Sequence, residues 1–320
     1  MKRILLAALL LTVLMFALPA MDNAGSADAP KTTEPMKKAE RLDKDTKREI
    51  SLLTGDETVK ISVRDYLIGV VAAEMPASFE EEALKAQAVA ARSYLQRALQ
   101  TGSKHDGADI CASADCCQAY KNSEELQAAW GDKYEKYVKK IEKAVDSTDG
   151  KYLSYNGEPA MAAFHSSSEG TTENSGALWS DLPYLVSVDT PETEKDVPNF
   201  VSRLEQREID FRDTVLYAKP EADMTGEAAD WIGKIKKDAA GRVESIVIGG
   251  ESFSGNELRS LFSLRSTDFT LEHKDGKFVF TVKGYGHGVG MSQYGADVMA
   301  KNGADYKEIL SHYYPGTAIS

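Results

Sequence analysis

The feature that most constrains the fold is a change of period partway along the chain. From residue 62 to about 145 the apolar side chains recur at helical spacing, whereas from 152 onward strand-like runs alternate with two-residue turns. Ser62, with Asp65 three positions on, predicts a capped helix through Tyr66, Leu67, Val70 and Val71 to about Ala73, closed by Pro76. Ser78 with Glu81 predicts a second capping box. In the helix it opens, Leu84, Ala88, Ala91, Leu95 and Ala98 form an apolar stripe, with Lys85 and Arg92 on another face. Asn122 with Glu125 opens a third helical region, continued by Tyr134, Val138, Ile141 and Val145 beyond a break at Gly131. Hairpins follow, turning on Asn156-Gly157 between 152–155 and 160–164, and on Asp275-Gly276 between 269–272 and 278–282. Helices first and hairpins later predict an α+β architecture, a helical part packed with a hairpin-rich part, rather than a doubly wound sheet. Tyr184, Trp179 and Trp231 are expected to pack in the core.

Lys2 and Arg3 precede an apolar run over 4–20, which predicts a membrane anchor or signal segment at 1–21 with the rest of the chain outside the cytoplasm. Pro19 and the Met21-Asp22 pair make a poor small-residue cleavage site, which favours a single-pass anchor over secretion after cleavage. Residues 22–49, rich in Lys, Asp, Thr and Ala, read as a flexible extracytoplasmic stalk, and 50–320 as the folded domain. Asp, Glu, Pro and Thr gather over 189–199, marking an internal boundary or a long loop. A net charge of -12 argues against nucleic-acid binding, and a groove for an acidic polymer would need local Lys or Arg.

Several residues could carry chemistry. Glu74 is expected at the C-terminal end of a short helix, among Val70, Val71, Ala72, Ala73 and Met75. Both the dipole and the apolar setting would raise its pKa, as a general acid requires; the bland reading is a solvated helix end, which also describes Glu80, Glu81 and Glu82. His105, Cys111, Cys116 and Cys117 place every cysteine of the chain within thirteen positions. Three thiolates and an imidazole suit a closed tetrahedral zinc site of structural type. The alternative is a disulfide, which would leave one thiol over, and a Cys116–Cys117 bridge would be strained. The string His165-Ser166-Ser167-Ser168 invites a serine-hydrolase reading, but no nucleophile elbow or placed acid accompanies it. The stretch 284–290 is glycine-rich without the Lys-Ser/Thr of a phosphate loop. Its glycines are expected to let backbone approach substrate, with His287, Ser292, Gln293 and Tyr294 beside it. Lys85, Gln87 and Arg92 could bind a sugar amide or a lactyl carboxylate, or form a plain polar face.

The run from Gly69 to Tyr94, with Ala73-Glu74-Met75-Pro76 at its heart, resembles the signature of the stage II sporulation protein D family. So do His165–Ser168 and the stretch 284–296. The resemblance implies a lytic transglycosylase of peptidoglycan with Glu74 as catalytic acid. The attacking group is then the muramic acid C6 hydroxyl, the product a 1,6-anhydro sugar, and the substrate a glycan strand stripped of stem peptides, bound in a cleft between the two parts. Ser166, Ser167 and Ser168 would hydrogen-bond that glycan. The family is similar in having a zinc held here by a His and two Cys, with Cys116 standing where a second His is more usual. It also implies a place in the mother-cell membrane facing the forespore, and work during engulfment. The implied partners are an amidase, stage II sporulation protein P, and a membrane scaffold, stage II sporulation protein M. Two rivals stand beside this reading. One is a non-catalytic peptidoglycan-binding amidase enhancer, for which the Glu74 carboxyl would not matter. The other is a metal-dependent hydrolase, which would need an open metal position.

Overall fold

The computed structural model describes residues 45–320, so the expected anchor and all but the end of the expected stalk lie outside the described residues. Among the described residues, no helix is long and apolar enough to cross a membrane. Regular structure begins inside the stretch assigned to the stalk. β1 (Glu49–Thr54) and β2 (Glu57–Ser62) pair as a hairpin from Thr54↔Glu57 to Glu49↔Ser62.

α1 (Val63–Glu74) starts as its cap predicts, with the Asp65 N–H donating to Ser62 Oγ at 3.0 Å. α2 (Glu81–Thr101) does not use Ser78: its N-cap is Glu80, whose N–H donates to Asp297 Oδ1 at 2.7 Å. The start of α2 is thus held by a partner 217 positions away, and no local side chain caps its first turn. β3 (Ile110–Cys111) lies parallel to β1 and completes its sheet. α3 (Ser123–Trp130) carries the expected Asn122–Glu125 box, Gly131 breaks the helical run with φ of 51°, and α4 (Tyr134–Ser147) follows. β4 (Leu153–Tyr155) and β5 (Glu158–Pro159) turn on Asn156 and Gly157, both at positive φ as a type I′ turn demands. β6 (Phe164–His165) then leaves that hairpin for another partner.

α2 packs against α1, α4 and two later helices, and side chains all round it are fully buried, Ala83, Ala86, Val89 and Ala90 as well as Leu84, Ala88, Ala91 and Leu95. A helix apolar on every side belongs in the middle of a core. The expected polar face therefore closes over Arg92, whose fully buried Nη2 pairs with Asp45 at 2.7 Å while Nη1 donates to the Lys151 carbonyl at 2.9 Å.

A second core follows. It is built on β7 (Val201–Arg207), α5 (Glu208–Ala218), β8 (Ile232–Lys237), β9 (Val243–Ile248), β10 (Glu251–Ser254), α6 (Gly255–Leu261), β11 (Phe269–Lys274) and β12 (Lys277–Lys283). Two antiparallel sheets, in the orders β10-β9-β8 and β11-β12-β7, enclose an aromatic stack in which Phe211 lies 3.8 Å from Phe278. The chain then returns to the first core. β13 (Met291–Ser292) pairs in parallel with β6, α7 (Gln293–Lys301) and α8 (Tyr306–Tyr313) cover α2, and β14 (Ala318–Ile319) joins β4. The second core is thus an insertion in the first. The α+β expectation holds, but the first core is assembled from both ends of the described chain. The 189–199 stretch is where the chain leaves it, and Thr190, Glu192 and Val197 are buried there.

Candidate active site and thiol cluster

Glu74 is the last residue of α1, half-buried, and its Oε1 accepts the Ala119 N–H at 2.8 Å. Burial raises its pKa, and the Ala119 hydrogen bond opposes that rise only in part. Among the described residues no other charged side chain contributes to the shift. The amide reaches Glu74 because the segment 118–121 lies directly on α1. Tyr66 donates to Gln118 Oε1 at 3.0 Å and its ring is parallel to that of Tyr120, and the Lys121 N–H donates to the Gly69 carbonyl. A Cβ on Gly69 would stand 2.2 Å from the Tyr120 ring, so this approach requires glycine.

The same segment begins in the thiol cluster. β3 holds Cys111 against β1, and the N–H groups of Cys116 and Cys117 both donate to the Ser113 carbonyl, turning the chain back toward Cys111. The four ligand atoms of His105, Cys111, Cys116 and Cys117 lie within 4.8 Å of one another. His105 Nε2 is 3.6 and 3.5 Å from the sulfurs of Cys116 and Cys117, which are 3.9 Å apart. A zinc with Zn–S near 2.3 Å and Zn–N near 2.0 Å sets tetrahedral edges of about 3.5–3.8 Å, which the spacing of His105, Cys116 and Cys117 matches, with Cys111 no more than 4.8 Å from any of them. The three cysteines are free. Burial pushes the Cys117 thiol up to about 12, so a cation is what would make it a thiolate.

Other expected site residues meet protein. Gln87, Arg92, Ser167, Ser168, Ser292 and Gln293 are buried, while Lys85, Ser166, His287 and Tyr294 keep surface. Lys85 lies 2.9 and 2.7 Å from the carboxylates of Glu81 and Glu82. Gln293 reaches Gln87 at 3.5 Å, and Tyr294 sets its ring edge-on to Phe79. His165 Nδ1 faces the Val289 carbonyl at 3.2 Å, so that nitrogen carries the hydrogen, and Nε2 accepts from Ser168 Oγ at 2.5 Å. A carbonyl where a triad has its acid, and a serine 1% exposed, give no serine-hydrolase geometry.

The glycine loop closes on protein too. A Cβ at Gly290 would stand 2.0 Å from the Ala163 carbonyl, and one at Gly288 2.8 Å from the Arg242 guanidinium. The close approach visible here is therefore to β6 and its neighbours. Two residues that the sequence did not single out organise this seam. Glu192 accepts from the Ser168 N–H at 2.8 Å and from the hydroxyls of Ser292 and Thr190, and Arg242 donates to Ser168 Oγ at 2.9 Å. Glu192 carried no signal beyond lying in an acidic stretch. Tyr184 and Trp231 are buried as expected, but Trp179 is 41% exposed, edge-on to His287 at 5.2 Å.

The described residues thus form an α+β fold in which one carboxyl of raised pKa, Glu74, lies against a segment that leads out of a thiol–imidazole cluster. Residues 54–155 match the family model described as Stage II sporulation protein. The chain is 37% identical over 329 residues to Stage II sporulation protein D of Bacillus subtilis (strain 168), an alignment covering 99% of this chain and 94% of that protein. It is 39% identical to Stage II sporulation protein D of Bacillus amyloliquefaciens, covering 81% of this chain and 74% of that one. It is also 32% identical to the Amidase enhancer of Bacillus subtilis (strain 168), over 79% of this chain and 40% of that protein. The chain belongs to the stage II sporulation protein D family, and its role is in sporulation.

Proposed function

We propose that this chain is a lytic transglycosylase that cuts the MurNAc–GlcNAc bond of stem-peptide-free glycan strands during engulfment, with Glu74 as its single acid. The observation that carries the reading is the state of Glu74: half-buried, held through one oxygen by Ala119, and raised by burial alone. A general acid must keep its proton near neutral pH. A retaining glycosidase would place a second carboxylate about 5 Å away, where its charge would add to the rise. None contributes here, and Glu81 and Glu82 are engaged by Lys85, Lys143 and the Tyr306 N–H.

One carboxyl suffices when the nucleophile is part of the substrate. Glu74 gives its proton to the glycosidic oxygen as the C1–O bond breaks. The muramic acid C6 hydroxyl closes on C1 and returns its proton to Glu74, so the acid is regenerated and no water is consumed. His105, Cys111, Cys116 and Cys117 would hold a zinc of structural type, with no position open for a reactive water. It would tie down the segment whose Ala119 amide meets Glu74. Lys85, Ser166, His287 and Tyr294 keep enough surface to meet the glycan. A place in the mother-cell membrane facing the forespore, beside an amidase and a membrane scaffold, belongs to the same proposal.

The test is mass spectrometry of peptide-free glycan strands incubated with the whole chain or with Glu74→Gln. Anhydro-muramyl ends from the unsubstituted chain alone are expected. Strands bound by both proteins and cut by neither would remove the enzymatic reading and favour a glycan-binding amidase activator, in line with the name of the 32% identical relative.

A further inference from the structure

Three arginines of the inserted core gather at the glycine loop, and none has a carboxylate within ion-pair distance among the described residues. Of the other described arginines, Arg64, Arg92, Arg203, Arg207 and Arg212 each find one, while Arg48 and Arg97, at separate places, do not. In a chain with twelve more acidic than basic residues, three arginines without such partners call for a physical reason.

Arg265 donates to the Asn199 carbonyl at 2.6 Å and lays its guanidinium 4.5 Å from the centre of the Tyr285 ring. Arg242, 4% exposed, donates to Ser168 Oγ and the Thr171 carbonyl and lies against Gly288. Arg259, on α6, is the most telling. It is half-buried, its Nε is shut off from water without a hydrogen-bond partner, and its guanidinium makes no ion pair with any described residue. Leaving a desolvated guanidinium donor unpaired costs free energy that a stable fold ordinarily avoids. Its backbone places it at the loop: the Arg259 carbonyl accepts the Leu264 N–H at 2.8 Å, and the carbonyl of the next residue, Arg265, accepts the Gly286 N–H at 2.9 Å. Two exposed aromatic rings belong to the same region: Tyr285, 48% exposed, under the Arg265 guanidinium, and Trp179, 41% exposed, edge-on to His287. A guanidinium with no carboxylate partner among the described residues, in a region with exposed aromatic rings, suits a sugar that carries a carboxylate.

We propose that Arg259, with Arg242 and Arg265 around it, is a specificity-determining anion subsite that takes the free lactyl carboxylate of a muramyl residue. The inference rests on the glycan-strand reading above and deepens it. While a stem peptide is attached, the lactyl carbonyl is a neutral amide. Hydrolysis of that amide creates the carboxylate, so an amide-hydrolysing reaction must supply the substrate. Preference for stripped strands then lies in this chain's own arginines.

The experiment measures binding of peptide-free glycan strands to the full chain carrying Glu74→Gln, which keeps the strands uncut, with and without Arg259→Gln. The comparison ligand is the same strands with the lactyl carboxylates converted to methylamides. Loss of a charge-assisted contact predicts that Arg259→Gln weakens binding of carboxylate strands about ten- to hundredfold. Methylamide strands should bind both proteins alike, at the weakened level. Equal affinity for the two kinds of strand in the Arg259 protein would overturn the proposal without any variant having to fold. So would undiminished binding of carboxylate strands by Arg259→Gln. The outcome is separable from the catalytic reading, because binding is measured without cleavage and anhydro products are assayed apart. A structural role for Arg259 predicts a lower melting temperature for Arg259→Gln, whereas an unpaired cation awaiting its ligand predicts an equal or higher one.

Discussion

Burial lifts the pKa of Glu74 in the folded chain and leaves it ordinary in the unfolded one, so ionising this carboxyl costs folding stability. The sign follows directly. Its stabilising contribution is whole below the ordinary carboxyl value of about 4.3 and is lost as pH rises through the lifted folded value. Glu74→Gln keeps an oxygen for the Ala119 N–H and cannot ionise. Its thermal midpoint is expected to exceed that of the unsubstituted chain near pH 7, with the gap closing toward about pH 4, where both side chains are neutral. Under the proposed reaction the same titration bears on chemistry: cleavage should decline on the alkaline side as Glu74 loses its proton. Unfolding midpoints recorded over this range test the point, and parallel curves for the two proteins would mean that Glu74 ionises as freely as a surface residue.

Among the elements, α1 and the segment that runs from the thiol cluster across it form one working unit. Cys117, Gln118 and Ala119 are consecutive, so whatever holds the cluster also aims the Ala119 amide at Glu74. Gly69 lets the segment lie down. Alanine is a better helix former than glycine by about 1 kcal/mol, so Gly69→Ala would stabilise an isolated α1. Here the added methyl meets Tyr120 at 2.2 Å and the Lys121 carbonyl at 2.7 Å. Overpacking of this kind costs roughly 1–3 kcal/mol and should prevail over propensity. Gly69→Ala is therefore expected to lower the denaturation midpoint and to slow cleavage by displacing the amide from Glu74. A Gly69→Ala protein more stable than the parent would show that the segment does not press on α1.

For the whole molecule the decisive feature is the seam where the inserted core leaves and rejoins the first. Glu192 gathers the Ser168 N–H and the hydroxyls of Ser292 and Thr190, drawn from both sides of the insertion. Glu192→Ala would strand these buried donors, and a loss on the order of 3–5 kcal/mol is expected in chemical denaturation, as when one partner leaves a buried charged network. A loss within a few tenths of a kcal/mol would mean that water satisfies the donors instead. What the sequence determined by itself was local. Caps at Ser62 and Asn122, turns at Asn156-Gly157 and Asp275-Gly276, and the clustering of His105 with the cysteines all depend on neighbours a few positions apart, and all are where the pattern put them. Tertiary structure decided whatever depends on distant partners. Glu80 rather than Ser78 became the N-cap of α2, its N–H held by Asp297; Asp45 and the Lys151 carbonyl enclosed Arg92, and Ser167 and Ser168 turned inward. Periodicity reports that a helix has an apolar face, but not how many elements will cover it. In the middle of α2, where alanines face every side, other elements cover the helix around Arg92, and so that polar side chain became part of the core.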